Sequence, residues 1–268
     1  MVHEERWLKE QEFFDAEEYS EGPIPANTIE RYRLCRKPFL PAEQPFSMIG
    51  DIRGKRILEL GCGDGGNSVL LALKGASVVG IDISPRAIQI ARKRAEMHGV
   101  SDSVEFHAMP LEAYLERAEE KFDIIIGFAV LHHLLPVLDS VMSTLMKLSK
   151  PETGFVFAEP VSLSDSVRKL RLALPIKVYG TPDERPLEPR DLAILRRHLP
   201  EMKLRTSGLL LRVWGRLFPG RYEDFSGFRT AIFDTFARLD SALLALPGIG
   251  RLASSAVLYS GLRPNASK

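Results

Sequence analysis

The chain holds only two cysteines in 268 residues, Cys35 and Cys62, and Cys62 sits inside a glycine-dense turn. A disulfide framework is therefore excluded as the organising device, and the usage fits a reducing, cytoplasmic setting. No run of about 18 uncharged apolar residues occurs, so no spanning helix is expected. The start, Met1-Val2-His3-Glu4-Glu5-Arg6, is polar and acidic and lacks the apolar core of a signal peptide. Repeats and low-complexity tracts are missing as well. Net charge is only +1, yet its distribution is uneven. Residues 1–189 carry 23 Lys+Arg against 29 Asp+Glu, whereas residues 190–268 carry 13 against 6. The basic tail is either a solvated face or a surface for an anionic substrate or membrane.

What the chain does have is alternation. Apolar runs at Arg56–Leu60, Ser77–Ile81, Val104–Ala108, Phe122–Gly127 and Phe155–Glu159 are separated by helical patterns at about 66–74, 85–98, 111–118 and 137–149. This rhythm predicts βαβ units and a parallel sheet covered by helices on both faces. Residues 4–19 and about 27–37 read as two helices ahead of the sheet. Beyond Glu159 the rhythm breaks into a proline-rich segment, 161–188, followed by a helix at 190–199 and a strand within Lys203–Val213. Phe225, Phe228, Ile232, Phe236, Leu239, Leu243 and Leu246 then trace one face of a helix that Pro247-Gly248 stops. Ala256–Leu262 reads as a last edge strand. Three parts result: 1–50, a helical lid or flank; 51–160, the core; and 161–268, the end of the fold with a substrate loop and helical insertion.

The chemistry concentrates at Glu59-Leu60-Gly61-Cys62-Gly63-Asp64-Gly65-Gly66 and at Asp82, the end of the second strand. Glycines let backbone approach a ligand closely and adopt positive φ. An acid at the next strand's tip accepts two ribose hydroxyls. Two glycine templates overlap here: Gly61, Gly63, Gly66 fits a dinucleotide turn, and Gly61, Gly63, Gly65 fits a methyl-donor turn. Glu59 separates them. Its carboxylate needs a partner such as an amino-acid ammonium, whereas a pyrophosphate beside it is repelled.

With I-L-E-L-G-C-G-D-G at 57–65, V-V-G-I-D-I-S at 78–84, F-D-I-I-I-G-F-A-V-L-H-H-L at 122–134 and F-V-F-A-E-P at 155–160, residues 55–160 resemble the class I S-adenosylmethionine-dependent methyltransferases. The resemblance is closest to the small-molecule branch that includes quinone-biosynthesis enzymes. It implies an α/β, doubly wound, mostly parallel seven-stranded sheet and S-adenosylmethionine as cofactor. By resemblance, Glu59, Gly61, Cys62, Gly63 and Gly65 line the methionine end, Asp82 takes the ribose, and Ile83 lies against adenine. Pro110 stands where the family often has an adenine-binding acid, which leaves backbone groups of Met109 or Leu111 for that contact. Phe128 is expected near the methionine or the acceptor.

Methyl transfer needs a base only when the acceptor must lose a proton. His132 or His133, just past the fourth strand, is the candidate, with Glu159 as a second; each has a plain packing or hydrogen-bonding alternative. Tyr32, Arg36 and Arg185 are candidates for cofactor closure or acceptor binding. No metal is expected, because Gly127-Phe128-Ala129 offers no hard oxygen ligands. The acceptor is expected to be a small, fairly apolar or lipid-like molecule methylated on oxygen. Nucleic acid is not expected, and helix 225–246 is a lid, a dimer contact or a peripheral membrane contact. A non-catalytic cofactor-binding scaffold and an NAD(P)-dependent oxidoreductase are the alternatives.

Overall fold

The computed structural model describes residues 2–164, 184–212, 214, 218, 222 and 225–262. Its strands are β1 (Arg56–Leu60), β2 (Ser77–Asp82), β3 (Val104–Ala108), β4 (Phe122–Phe128), β5 (Ser149–Pro160), β6 (Lys203–Ser207) and β7 (Ser255–Ser260). Its α-helices are α1 (Val2–Asp15), α2 (Ala26–Leu34), α3 (Gln44–Met48), α4 (Gly66–Leu73), α5 (Pro85–Met97), α6 (Leu111–Leu115), α7 (Leu138–Lys147), α8 (Pro189–His198) and α9 (Phe228–Leu244). The strands form one seven-stranded sheet in the order β3-β2-β1-β4-β5-β7-β6. The first five are parallel, and β7 runs antiparallel to both β5 and β6.

Ile57, Leu58, Leu60, Ile125, Ile126 and Phe157 are essentially inaccessible, which explains why these strands read as unbroken apolar runs. The alternation had predicted this doubly wound sheet. The last strand was misplaced, however. It is not an edge but lies between β5 and β6, with Phe157 facing Leu258 and Leu204 facing Leu258 from the other side. A single apolar run cannot reveal its neighbours. The sixth strand falls within Lys203–Val213 as expected and ends at Ser207, where Gly208 turns the chain at φ +86°. Helix α9 starts at Phe228, not Phe225.

Strand order reverses beside β1, whose neighbours β2 and β4 lie on opposite sides. The crevice past the carboxyl ends of these strands is where open α/β sheets bind ligands. Helix α1 lies over it. Ser84 caps α5 by accepting the Ala87 N–H, while its own hydroxyl donates to Asp15 at the end of α1. Arg6 and Trp7 of α1 both reach the Glu112 carboxylate on α6.

Arg94 of α5 is 4% exposed and knits the glycine turn to the N-terminal segment. It pairs with Asp64 at 2.6 Å and donates to the carbonyls of Asp64, Ser20 and Gly22. Arg94→Leu leaves that carboxylate and these carbonyls unmatched. We expect a loss of about 3 kcal/mol, at the low end for a buried pair because Asp64 is partly solvated. Arg94→Lys should recover little, since one ammonium cannot reach all four acceptors. Urea denaturation of the three proteins checks both.

Candidate active site

The β1–α4 turn carries Gly61, Gly63 and Gly65, all at positive φ. Asp82 holds this turn to the end of β2. Its Oδ2 accepts the Gly63 N–H at 2.8 Å and its Oδ1 accepts the Ser84 N–H at 2.9 Å. Burial nevertheless raises the Asp82 pKa, with the backbone hydrogen bonds opposing it. Each oxygen keeps a further lone pair for a ligand hydroxyl.

Beside this turn lies a cavity of about 310 Å³. Gly61, Gly63, Asp82, Ile83, Pro110 and Phe128 contribute to its walls, and Trp7, Phe14 and Tyr19 close it from α1 and the segment after it. A second, larger cavity of about 1010 Å³ runs between α1 and the start of α8. His133 and Glu10 line both, so the two spaces meet at these side chains.

At that junction Glu159 organises the turn after β4. Its Oε1 accepts the N–H groups of Val130 and Leu131 at 2.9 and 2.8 Å, and its Oε2 lies 2.9 Å from His132 Nδ1. Ala129, at φ +53°, makes the turn tight enough for this. The His132 and His133 rings lie 4.1 Å apart. Glu184 approaches both, its Oε2 3.9 Å from His132 Nε2 and its Oε1 3.2 Å from His133 Nδ1. Burial, then the neighbouring His132, pushes the His133 pKa down to about 4, so its ring is neutral at pH 7.

A methyltransferase-domain family matches residues 52–181. The ubiquinone biosynthesis O-methyltransferase of Bordetella avium (strain 197N) is 35% identical over 112 residues, 41% of this chain and 44% of that one. The enzyme of the same name from Agrobacterium fabrum (strain C58 / ATCC 33970) is 36% identical over 121 residues, 45% of this chain and 46% of its own. Residues 52–181 thus form a methyltransferase domain similar to those of S-adenosylmethionine-dependent enzymes. The matched stretch spans less than half the length of these curated relatives. Geranyl diphosphate C-methyltransferase from Streptomyces coelicolor A3(2) superposes with a TM-score of 0.57 over 97% of this chain and 98% of that one; at 13% identity this likeness is one of fold.

Besides His132 and Glu159, the residues that the sequence singled out fall into three groups. Gly61, Gly63, Asp82, Ile83, Met109, Pro110, Leu111, Phe128 and His133 line the smaller cavity. Glu59, at the end of β1, and Cys62 and Gly65, within the turn, do not line it. Glu59 is wholly buried and takes a hydrogen bond from Ser68, while its Oε1 has no hydrogen-bond partner. The Cys62 sulfur sits where a Cβ on Gly80 would meet it at 3.0 Å. Burial raises the Cys62 thiol well above its ordinary range. The remaining candidates stand apart from this cavity. Tyr32 packs on Phe46, which stacks on Phe128. Arg36 is exposed. Arg185 holds Asp191 with two nitrogens at 2.6 and 2.9 Å, at the start of α8 and on the wall of the larger cavity. Of the loop 181–187, residues 181–183 lie outside the described residues. Sequence reasoning missed Trp7, Glu10, Phe14, Tyr19 and Glu112, since no local motif says which helix covers a crevice.

The donor set fits an amino-acid-bearing nucleoside: an orphaned buried carboxylate oxygen on Glu59, a paired carboxylate with spare lone pairs on Asp82, and open backbone at Gly63. Two glycines separate binding from folding. A Cβ on Gly65 would lie 2.6 Å from the Ala91 Cβ, whereas one on Gly63 meets nothing within 4 Å. Gly63→Ala should cost only the about 1–2 kcal/mol of a left-handed alanine yet weaken cofactor binding at least tenfold. Gly65→Ala should unfold much more easily. Melting curves and calorimetry on both variants check the split.

Proposed function

We propose that the protein transfers a methyl group from S-adenosylmethionine to an oxygen of a small, largely apolar, lipid-like acceptor. The observation that carries this is the junction of two cavities: a small one walled by the glycine turn and Asp82, and a large one beyond His133. S-adenosylmethionine, when bound, supplies a methyl group on a sulfonium, so alignment and water exclusion provide most of the acceleration. The chain's own residues do the rest. Asp82 binds the sugar hydroxyls, and Glu59, buried outside the cavity wall, acts on the ammonium end through its charge. Trp7, Phe14 and Tyr19 exclude water. The acceptor hydroxyl enters through the larger cavity and loses its proton at the His132–His133 edge, which Glu159 fixes in place. The names of the ubiquinone-pathway relatives favour oxygen and an isoprenoid-bearing acceptor.

Calorimetry with S-adenosylhomocysteine and with NADH tests this reading first. We expect micromolar binding of the former and none of the latter; the reverse would make the protein a nicotinamide oxidoreductase. Burial pushes Glu59 up to about 8, so its carboxyl is protonated in the empty protein near pH 7. An ammonium nearby favours the ionised form and lowers that pKa, so binding should release a proton. The binding heat will then vary with the buffer's ionisation enthalpy, and Glu59→Gln will abolish the variation. A radiolabel screen across phenols, quinols and lipid extracts then tests turnover; cofactor binding without transfer to any of them would point to a scaffold.

The lipid-like acceptor has a counterpart on the surface. Helix α9 docks through one face: Asp240 is buried and accepts the N–H groups of Gly208, Leu210 and Leu211, and Lys37 bonds Asp234 and Tyr222. Its other face leaves Phe228 at 81% exposure, with Leu239, Leu243 and, just beyond the helix, Leu246 also exposed. Arg229 and Arg251 lie nearby. Among the described residues no helix is long and apolar enough to cross a membrane. From its exposed apolar side chains we propose that this face rests on the lipid surface. Phe228→Ser with Leu239→Ser should lower sedimentation with phosphatidylglycerol vesicles about tenfold, each buried side chain contributing about 1.5 kcal/mol or more in full burial. Dimerisation without vesicle binding would assign the face to a second copy instead.

A further inference from the structure

We propose that His132, His133 and Glu184 form a binding site for a divalent transition-metal ion of the zinc type, open to the larger cavity. The inference deepens the methyl-transfer reading and rests on it only for the metal's use, not for its binding. The three ligand atoms, one from each residue, lie within 4.8 Å of one another. The Glu184 carboxylate meets both rings, Oε1 at 3.2 Å from His133 Nδ1 and Oε2 at 3.9 Å from His132 Nε2, each close to the about 3.4 Å between ligands of a tetrahedral ion with bonds near 2.1 Å.

Three further observations point to an ion rather than to a hydrogen-bonded cluster. First, His133 Nδ1 is buried and lacks a hydrogen-bond partner, although Glu184 Oε1 is 3.2 Å away. The two atoms are close without being aligned on each other, as two ligands of one ion are. Second, His132 turns Nδ1 to Glu159 at 2.9 Å and leaves Nε2 on the Glu184 side. A carboxylate behind a histidine fixes its tautomer and raises its basicity as a ligand. Third, two buried carboxylates face the imidazole pair, Glu159 with a fully inaccessible side chain and Glu184 at 8% exposure.

Two imidazoles with one carboxylate favour zinc, iron or cobalt over magnesium or calcium, which prefer all-oxygen sets. Three protein ligands leave a position for the acceptor oxygen. A hydroxyl bound there releases its proton to solvent more readily, and the resulting anion takes the methyl group; His132 and His133 then act as ligands rather than as bases.

The test uses the full-length protein, stripped with dipicolinate and titrated with Co²⁺ and then Zn²⁺. We expect one equivalent of Co²⁺ with the intense visible d–d bands of a four- or five-coordinate site, displaced by one equivalent of Zn²⁺. His133→Gln and Glu184→Gln should each weaken binding at least a hundredfold. Glu159→Gln should weaken it about 10–100-fold. Absence of stoichiometric Co²⁺ binding to the wild type overturns the proposal, as does equal binding by the His133→Gln and Glu184→Gln variants. Wild-type titration keeps the test decisive should a variant not fold. Calorimetry with S-adenosylhomocysteine on the same samples keeps the two readings apart: metal bound without it retains this site and removes the methyltransferase reading.

Discussion

The Asp82 carboxylate is the constraint on which the candidate site depends. One oxygen holds the Gly63 amide and the other holds the Ser84 amide, so a single side chain ties the glycine turn to the end of β2 and to the start of α5. Arg94 tethers the same turn from α5 by pairing with Asp64 and donating to its carbonyl. Ser84 in turn caps α5 and binds Asp15, which carries the constraint to the helix over the cavity. Ligand binding and lid position thus share a chain of hydrogen bonds a few residues long.

Glu159 plays the matching part on the other side of β1. It closes the turn after β4 through two backbone amides and turns His132 toward the larger cavity. Both acids stand at carboxyl ends of strands, the place where a parallel sheet gathers residues distant in sequence. The smaller cavity therefore has a polar wall held by Asp82, and the larger one an imidazole edge held by Glu159. Fold alone does not dictate this division of labour; it comes from which side chains occupy the strand ends.

Much of this was legible in the sequence for a physical reason. Strands buried on both faces must be apolar throughout, so β1, β2 and β4 stand out, and the glycine turn with Asp82 lies within one βαβ unit. His132, His133 and Glu159 were visible for the same reason, being next to strand ends. Non-local contacts were not legible. Trp7 and Phe14 reach the cavity from about fifty residues or more before the turn, and Glu184 meets His133 from about fifty residues after it. Gly127-Phe128-Ala129 offers no hard oxygen ligands, whereas the cluster of His132, His133 and Glu184 comes together only in the fold. The inner position of β7 was hidden likewise, since strand order is not written in any one strand. Glu59 was recognised as needing a partner, but its burial outside the cavity wall, with one oxygen unmatched, emerged only from the fold.

The most direct measurement of the central claim is a crystal structure with S-adenosylhomocysteine. The account predicts the ribose hydroxyls within hydrogen-bond distance of Asp82, with the Gly63 amide still on the same carboxylate and the homocysteine end directed toward Glu59. A ribose bound elsewhere, or a crevice closed by side chains so that no adenosine enters, would contradict it.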